Sequence, residues 1–174
     1  MTKYFADFAR TAFFLIGLLL PLVHAATAAT VPDAVLPAAS VAPTAPAPSP
    51  DAVLGVWKNG EGTGMIQIYK QGDKYFGRIV WLQVPNNPDG TPRTDVNNPE
   101  EKMRKSPLKG LVNMRDFTHS GEGKWASGRI YDPKNGKDYS CEMTLTDPNT
   151  LEVRGFIGVA LFGRTDVWKR QVKK

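Results

Sequence analysis

From Asp51 onward, apolar and polar residues alternate in short stretches with a period of two, and the 3.6-residue rhythm of an amphipathic helix is almost absent. Tyr139, Cys141, Met143 and Leu145 interleave with Asp138, Ser140, Glu142 and Thr144, which puts the first set on one face of a strand. The same reading predicts strands near Leu54 to Lys58, Met65 to Tyr69, Tyr75 to Leu82, Leu111 to Phe117, Lys124 to Tyr131, Asp138 to Leu145, Leu151 to Phe156 and Leu161 to Arg170. Between them lie Gln71-Gly72-Asp73-Lys74, Ser120-Gly121-Glu122-Gly123, Pro133-Lys134-Asn135-Gly136 and Asp147-Pro148-Asn149-Thr150, all suited to tight reversals. Consecutive hairpins predict an up-and-down meander. Closing it into an all-β, eight-stranded antiparallel barrel removes both exposed edges. At that size the interior is either filled by side chains or holds one small ligand.

The strand pattern breaks from Gln83 to Gly110, which carries Pro85, Pro88, Pro92, Pro99 and Pro107 and is too long for a hairpin turn. Asn98-Pro99-Glu100-Glu101 predicts a helix start with Asn98 as cap, ending near Lys105 because Pro107 disfavours helical geometry at Ser106. Such a loop at a barrel mouth either plugs it or gates it.

The first fifty residues have a different composition. Lys3 and Arg10 precede an apolar run from Ala12 to Val23, and Val23 and Ala25 supply a small-residue cleavage signal, so residues 1–25 are expected to be a secretory signal peptide cut after Ala25. The run is well short of the ~20 residues that a bilayer core demands, so no integral membrane segment is expected after cleavage. Residues 26–50 are mostly Ala, Pro, Val, Thr and Ser, cannot bury enough surface to order themselves, and are expected to form an extended spacer of up to ~75 Å. The barrel domain is then residues 51–174, in the periplasm or outside the cell. Lys3 and Arg10 cancel Asp7 and Asp33, so the formal net charge of +5 belongs to that domain. A modest basic excess favours anionic partners. Nucleic acid, the usual partner of a basic barrel, is not expected for an exported chain.

Several segments together carry a family resemblance: Gly55-Val56-Trp57, Gly77-Arg78-Ile79-Val80-Trp81-Leu82, Asn97-Asn98-Pro99, Arg104-Lys105-Ser106-Pro107-Leu108-Lys109-Gly110-Leu111, Gly128-Arg129-Ile130-Tyr131-Asp132-Pro133, Gly136-Lys137-Asp138-Tyr139 and Leu161-Phe162-Gly163-Arg164-Thr165 with Trp168. From Leu54 to Arg170 the chain resembles the exported bacterial family known as DUF2147, a domain of unknown function. The resemblance implies a compact lipocalin-like barrel in the bacterial envelope or outside the cell, and it brings no established activity or catalytic residue. Lipocalins close one end of the barrel by pairing the tryptophan of a Gly-x-Trp on the first strand with an arginine near the last. Gly55, Trp57 and Arg164 fit those roles here, with the guanidinium stacked on the indole face.

Catalytic chemistry has little to work with. After the leader only His119 remains as a histidine, in a segment read as a turn, and a lone histidine makes a poor general base or zinc centre. Asp89, Asp95, Asn97 and Asn98 gather oxygens in one loop but lack the glycine and distal glutamate of a calcium loop. No cofactor or metal is called for. The single cysteine, Cys141, sits on an apolar strand face and reads as a small buried hydrophobe. Arg78, Arg129 and Arg154 stand inside strands; facing inward, with Trp81, they would hold the anionic head of an amphiphile, and facing outward they would be solvated or paired with carboxylates. Lys102, Arg104, Lys105 and Lys109 form a basic run in the long loop, either a solvated surface or a contact for anionic envelope lipid. Two readings of function follow: a non-enzymatic barrel that binds a small amphiphilic or apolar ligand, or a packed barrel that works as an envelope interaction module through its basic loop.

Overall fold

The computed structural model describes residues 48–172. The predicted leader and most of the predicted spacer, residues 1–47, lie outside the described residues. Eight antiparallel strands follow one another: β1 (Gly55–Lys58), β2 (Gly64–Gln71), β3 (Lys74–Leu82), β4 (Val112–Gly121), β5 (Lys124–Asp132), β6 (Lys137–Asp147), β7 (Thr150–Phe156) and β8 (Arg164–Gln171). Each pairs with its sequence neighbours, and β8 returns to β1 through Val56↔Gln171, Trp57↔Arg170 and Lys58↔Lys169, so the barrel is closed. The predicted all-β, up-and-down barrel is the one observed. The alternation read from β6 also holds, with Cys141, Met143 and Leu145 buried.

The strand directions give the barrel two different ends. One carries the tight turns after β2, β4 and β6. The chain enters there through a 3-10 helix, Pro50–Val53, and Val53 is fully buried. Trp57, Tyr75, Phe117, Trp125, Met143 and Leu151 pack around it as a solid floor. The indole nitrogens of Trp57 and Trp125 donate to Val53 O (2.9 Å) and Pro50 O (3.2 Å), so burial leaves both satisfied. The Tyr75 hydroxyl and Lys70 Nζ both donate to Asp51, which ties the entering segment across the floor.

One close approach sets the shape of the wall. Asp116 and Ser127 adopt positive φ (66° and 59°), kinking β4 and β5 together, and the kink lays the Phe117 ring directly over Gly128. A methyl group at Gly128 would overlap that ring, so the position has room only for glycine.

Three local expectations change. The helix expected from Asn98 to Lys105 reduces to a single 3-10 turn, Glu101–Met103. Asn98 does accept from Glu100 N (2.9 Å) as a cap would, and donates to Asp95 Oδ2 (2.7 Å), but the bonds that follow, Met103 N to Glu100 O, Arg104 N to Glu101 O and Ser106 N to Met103 O, are all i→i+3, and Pro107 ends the turn. β8 begins at Arg164 rather than Leu161, because Ala160–Phe162 form a 3-10 turn. His119 lies in β4, not in a turn; its ring packs 5.3 Å from that of Trp125, and its Nε2 is buried without a partner among the described residues.

Candidate functional site

The opposite end of the barrel is the mouth, ringed by the loops after β1, β3, β5 and β7. Inward-facing side chains shrink toward it: β7 presents Leu151, then Val153, then Gly155, and β2 approaches it through Ile68, Ile66 and Gly64. The space they leave is a cavity of about 720 Å³. Its walls are Ile66, Ile79, Leu82, Ile130, Val153 and Trp168, with Tyr131 and Tyr139 above them. The barrel is thus packed in its floor and hollow toward its mouth.

The long β3–β4 loop forms part of the cavity wall through Val84, Val96 and Leu108. Two short bridges, Asn86↔Pro92 and Thr94↔Pro107, fold it on itself. Asn97 Nδ2 then donates to Pro133 O (3.1 Å) and Lys134 O (3.0 Å), pinning it to the turn after β5. Beneath that clasp lies Asp95, fully buried, whose carboxylate accepts from the Tyr131 hydroxyl (2.8 Å) and from Asn98. Burial, and then the hydrogen bond to Asp95, push the Tyr131 hydroxyl up to about 12, so it remains a proton donor at neutral pH.

Polar side chains, among them Asn59, Thr63, Gln83, Asp132 and Asn135, complete the lining of the cavity. Asn113 is buried in its wall, and its Oδ1 has no partner among the described residues. Asp166 takes the Trp168 indole N–H at 2.7 Å. At the rim stand Glu61, Arg93, Lys134 and Arg164. Lys134 bonds Glu61 directly, Arg164 approaches it to 3.9 Å, and the Lys134 ammonium holds the Glu61 carboxyl below its usual value. Apolar walls, one buried amide and a rim carrying both signs of charge suit a molecule with an apolar body and a polar end.

None of the four residues read as ligand contacts lines this cavity. Tyr75, Gly77 and Ile79 face inward, so Arg78 faces out; its Nε and Nη2 donate to Gln67 Oε1 (3.0 and 2.8 Å), and it lies over the Tyr69 ring. Arg129 and Arg115 both fork onto Asp138 on the outer wall. Arg154 alternates with inward Val153 and Gly155, and donates to Ala160 O (2.8 Å), Leu161 O (3.2 Å) and Thr165 Oγ1 (2.8 Å). A register shift next to Ile66 sets Trp81 opposite Met65, on the outside, where Lys58 Nζ lies 5.8 Å from its ring.

The floor latch also differs from expectation. Trp57 is fully buried, but the guanidinium over its ring is that of Arg170, at 4.1 Å, whereas the Arg164 side chain is 88% exposed at the mouth. Antiparallel pairing explains the exchange: β1 is only four residues long and starts at the floor, so it pairs with the last residues of β8, and Trp57 falls opposite Arg170. Arg170 also donates to Leu54 O (2.7 Å), Ala52 O (2.6 Å) and Pro148 O (2.6 Å). A Cβ at Gly55, where φ is +134°, would sit 2.8 Å from Arg170 Nη1, so the glycine leaves room for the latch.

The basic run is exposed throughout, with Lys102 paired to Glu100 (3.1 Å) and Arg104 Nε donating to Asn98 O (2.9 Å). Of the oxygens that the long loop gathers, both carboxylates are committed within the protein, Asp95 as described and Asp89 to the Thr91 N–H and hydroxyl. Among the described residues no group of three or more His, Cys, Asp or Glu is placed to hold a metal ion. Cys141 is buried, and burial pushes its thiol up to about 12.

Comparison with known proteins agrees with this geometry. The model of a family described as "Uncharacterized protein conserved in bacteria (DUF2147)" matches residues 55–170. Among solved structures, that of HP1028 from the human pathogen Helicobacter pylori, described as belonging to the lipocalin family, superposes with a TM-score of 0.61 at 22% identity, covering 68% of this chain and 82% of that one. At that identity the likeness establishes a shared lipocalin-like fold. No curated protein matches the chain significantly.

Proposed function

The chain belongs to the DUF2147 family, and from that premise we propose that it is an exported, non-enzymatic barrel that binds one small amphiphilic molecule. The cavity carries the reading: about 720 Å³, inside the ~300–1,000 Å³ typical of small-molecule sites, walled by aliphatic side chains and open between charged groups. An apolar body would occupy the space above the Trp57 floor and gain from leaving water, while Asn113 and the rim cations Arg93, Lys134 and Arg164 would meet its polar end. The strand arginines take no part.

Native mass spectrometry of the purified protein, with displacement of an environment-sensitive dye, tests this. Leu82→Trp should fill the upper cavity and abolish both signals without unfolding the barrel, and Arg78→Ala should leave them unchanged. Protein that is consistently empty and binds no displaceable dye would overturn the proposal. Export has its own check: N-terminal sequencing of envelope or secreted protein should begin at Ala26, and a chain beginning at Met1 would remove the secretory reading.

A further inference from the structure

The loop after β7, residues 157–163, is the most apolar exposed segment of the domain. Ile157, Val159, Leu161 and Phe162 are 72%, 58%, 80% and 80% exposed. Four large apolar side chains in six consecutive residues carry an unfavourable hydration term unless something covers them. The loop is held in this pose. Arg154 donates to the carbonyls of Ala160 and Leu161, and Ala160–Phe162 close a 3-10 turn. The guanidinium grips the backbone and the apolar side chains project outward.

This tip stands at the same end of the barrel as the basic run. Most acids nearby are engaged, Asp95 by Tyr131 and Asn98, Glu61 by Lys134, Asp166 by Trp168 and Glu100 by Lys102, and the exposed Glu101 leaves the loop with a cationic excess. Among the described residues no carboxylate pairs with Arg93, Arg104, Lys105 or Lys109. A seven-residue tip offers a few hundred Å² at most, well short of the ~800 Å² per partner of a stable protein interface. A fluid apolar phase under a layer of negative charge asks for no complementary groove, and it satisfies both features.

We infer that the mouth docks on an anionic phospholipid bilayer, with the tip of the β7–β8 loop entering the interface and the basic side chains of the β3–β4 loop on the headgroups. Docking turns the cavity opening toward the lipid. It therefore gives an amphiphile a short path between bilayer and barrel; only this exchange rests on the cavity reading, and the docking does not.

The test is co-sedimentation with vesicles of phosphatidylcholine alone and of phosphatidylcholine with phosphatidylglycerol. The protein should bind the anionic vesicles, and Leu161→Ser with Phe162→Ser should lower the affinity about tenfold or more without moving the melting temperature. Arg104→Glu with Lys105→Glu should weaken binding in low salt and have little effect in high salt. Phe162→Trp should shift its emission to the blue on anionic vesicles and be quenched by brominated lipid. No sedimentation, binding unchanged in the serine double variant, or equal binding to neutral vesicles would each overturn the inference. So would dimerisation without lipid that the serine variant abolishes, since the occupant would then be a second copy. Dye displacement reads the cavity and sedimentation reads the docking, so either can fail alone.

Discussion

Replacing Arg170 with alanine removes four contacts from the barrel floor. The guanidinium lies 4.1 Å from the Trp57 ring centre and donates to the carbonyls of Leu54, Ala52 and Pro148. The stacking is worth about 1–2 kcal/mol when partly shielded from water. The bonds to Leu54 and Ala52 are partly buried and contribute about 1 kcal/mol each after allowance for solvent, and the exposed bond to Pro148 is counted as nil. Arg170→Ala should therefore cost about 3–4 kcal/mol, a fall of roughly 10–15 °C in melting temperature for a domain of this size. Arg170→Lys should recover only a minor part, since an ammonium keeps the charge over the ring but loses the fork. Arg164→Ala is the control: that side chain is 88% exposed, and its loss should change stability by less than about 0.5 kcal/mol. Urea unfolding of the three variants, followed by tryptophan emission, measures all of this. An Arg170→Ala protein within about 1 kcal/mol of the parent, or an Arg164→Ala protein equally damaged, would refute the assignment of the latch.

Other perturbations follow from single sites. Gly128→Ala forces the Phe117 ring aside and should cost about 1–3 kcal/mol; a double-mutant cycle with Phe117→Leu should show the two to be coupled, and strict additivity would place the strain elsewhere. Burial works to raise the Asp138 carboxyl, but Arg115 and Arg129 outweigh it and hold the group below its usual range. Its stabilisation is thus fully present above the unfolded value of about 3.9 and is lost as the pH falls through the lower folded value. Asp138→Asn should lower the urea midpoint near pH 7 and flatten its decline toward about pH 3, and a decline as steep as the parent's would take Asp138 out of the acid response. Cys141, with its thiol raised to about 12 and buried, should resist thiol reagents in the native protein and react at once in urea; rapid native labelling would show that the β6 wall opens.

The closed barrel was legible in the sequence because its hairpins announce themselves twice, in the period of two and in the turn residues between strands. β6 shows this best, since Cys141, Met143 and Leu145 alternate with polar partners and all three are buried. β3 was not decidable in the same way. Phe76 and Val80 on one face look as apolar as Tyr75 and Ile79 on the other, and only the fit of Gly77 against Met114, a contact across strands, fixes which face turns inward. The register shift beside Ile66 then moved Trp81 to the outer wall, and nothing in the local pattern marks that shift. The latch was within reach: once β8 runs antiparallel to β1, the partner of Trp57 lies near the end of β8, which favours Arg170 over Arg164.

The question the alternation left open, whether the barrel is hollow or filled, is answered by side-chain size read along strand direction. The strands that leave the floor begin with their bulkiest inward residue and continue with smaller ones: Tyr75 then Gly77 and Ile79 in β3, Trp125 then Gly128 and Ile130 in β5, Leu151 then Val153 and Gly155 in β7. The volume of the inner layer therefore falls toward the mouth, and a cavity results there although nearly every inward position is apolar or glycine, Asn113 and Asp166 being the exceptions. The same taper explains why the strand arginines were the wrong place to seek a polar contact. A cation facing into either half of the interior would be desolvated with little to repay it, and each of them instead turns outward to a side-chain, carboxylate or carbonyl partner. Cationic charge enters the site where the walls end and water begins, with Arg93 and Lys134 on loops and Arg164 at the first residue of β8. The loop cations Arg93 and Lys134 carry no periodicity to mark them, and Arg164 stands at the edge of its strand, so their part in the site follows from the closure of the barrel rather than from any motif.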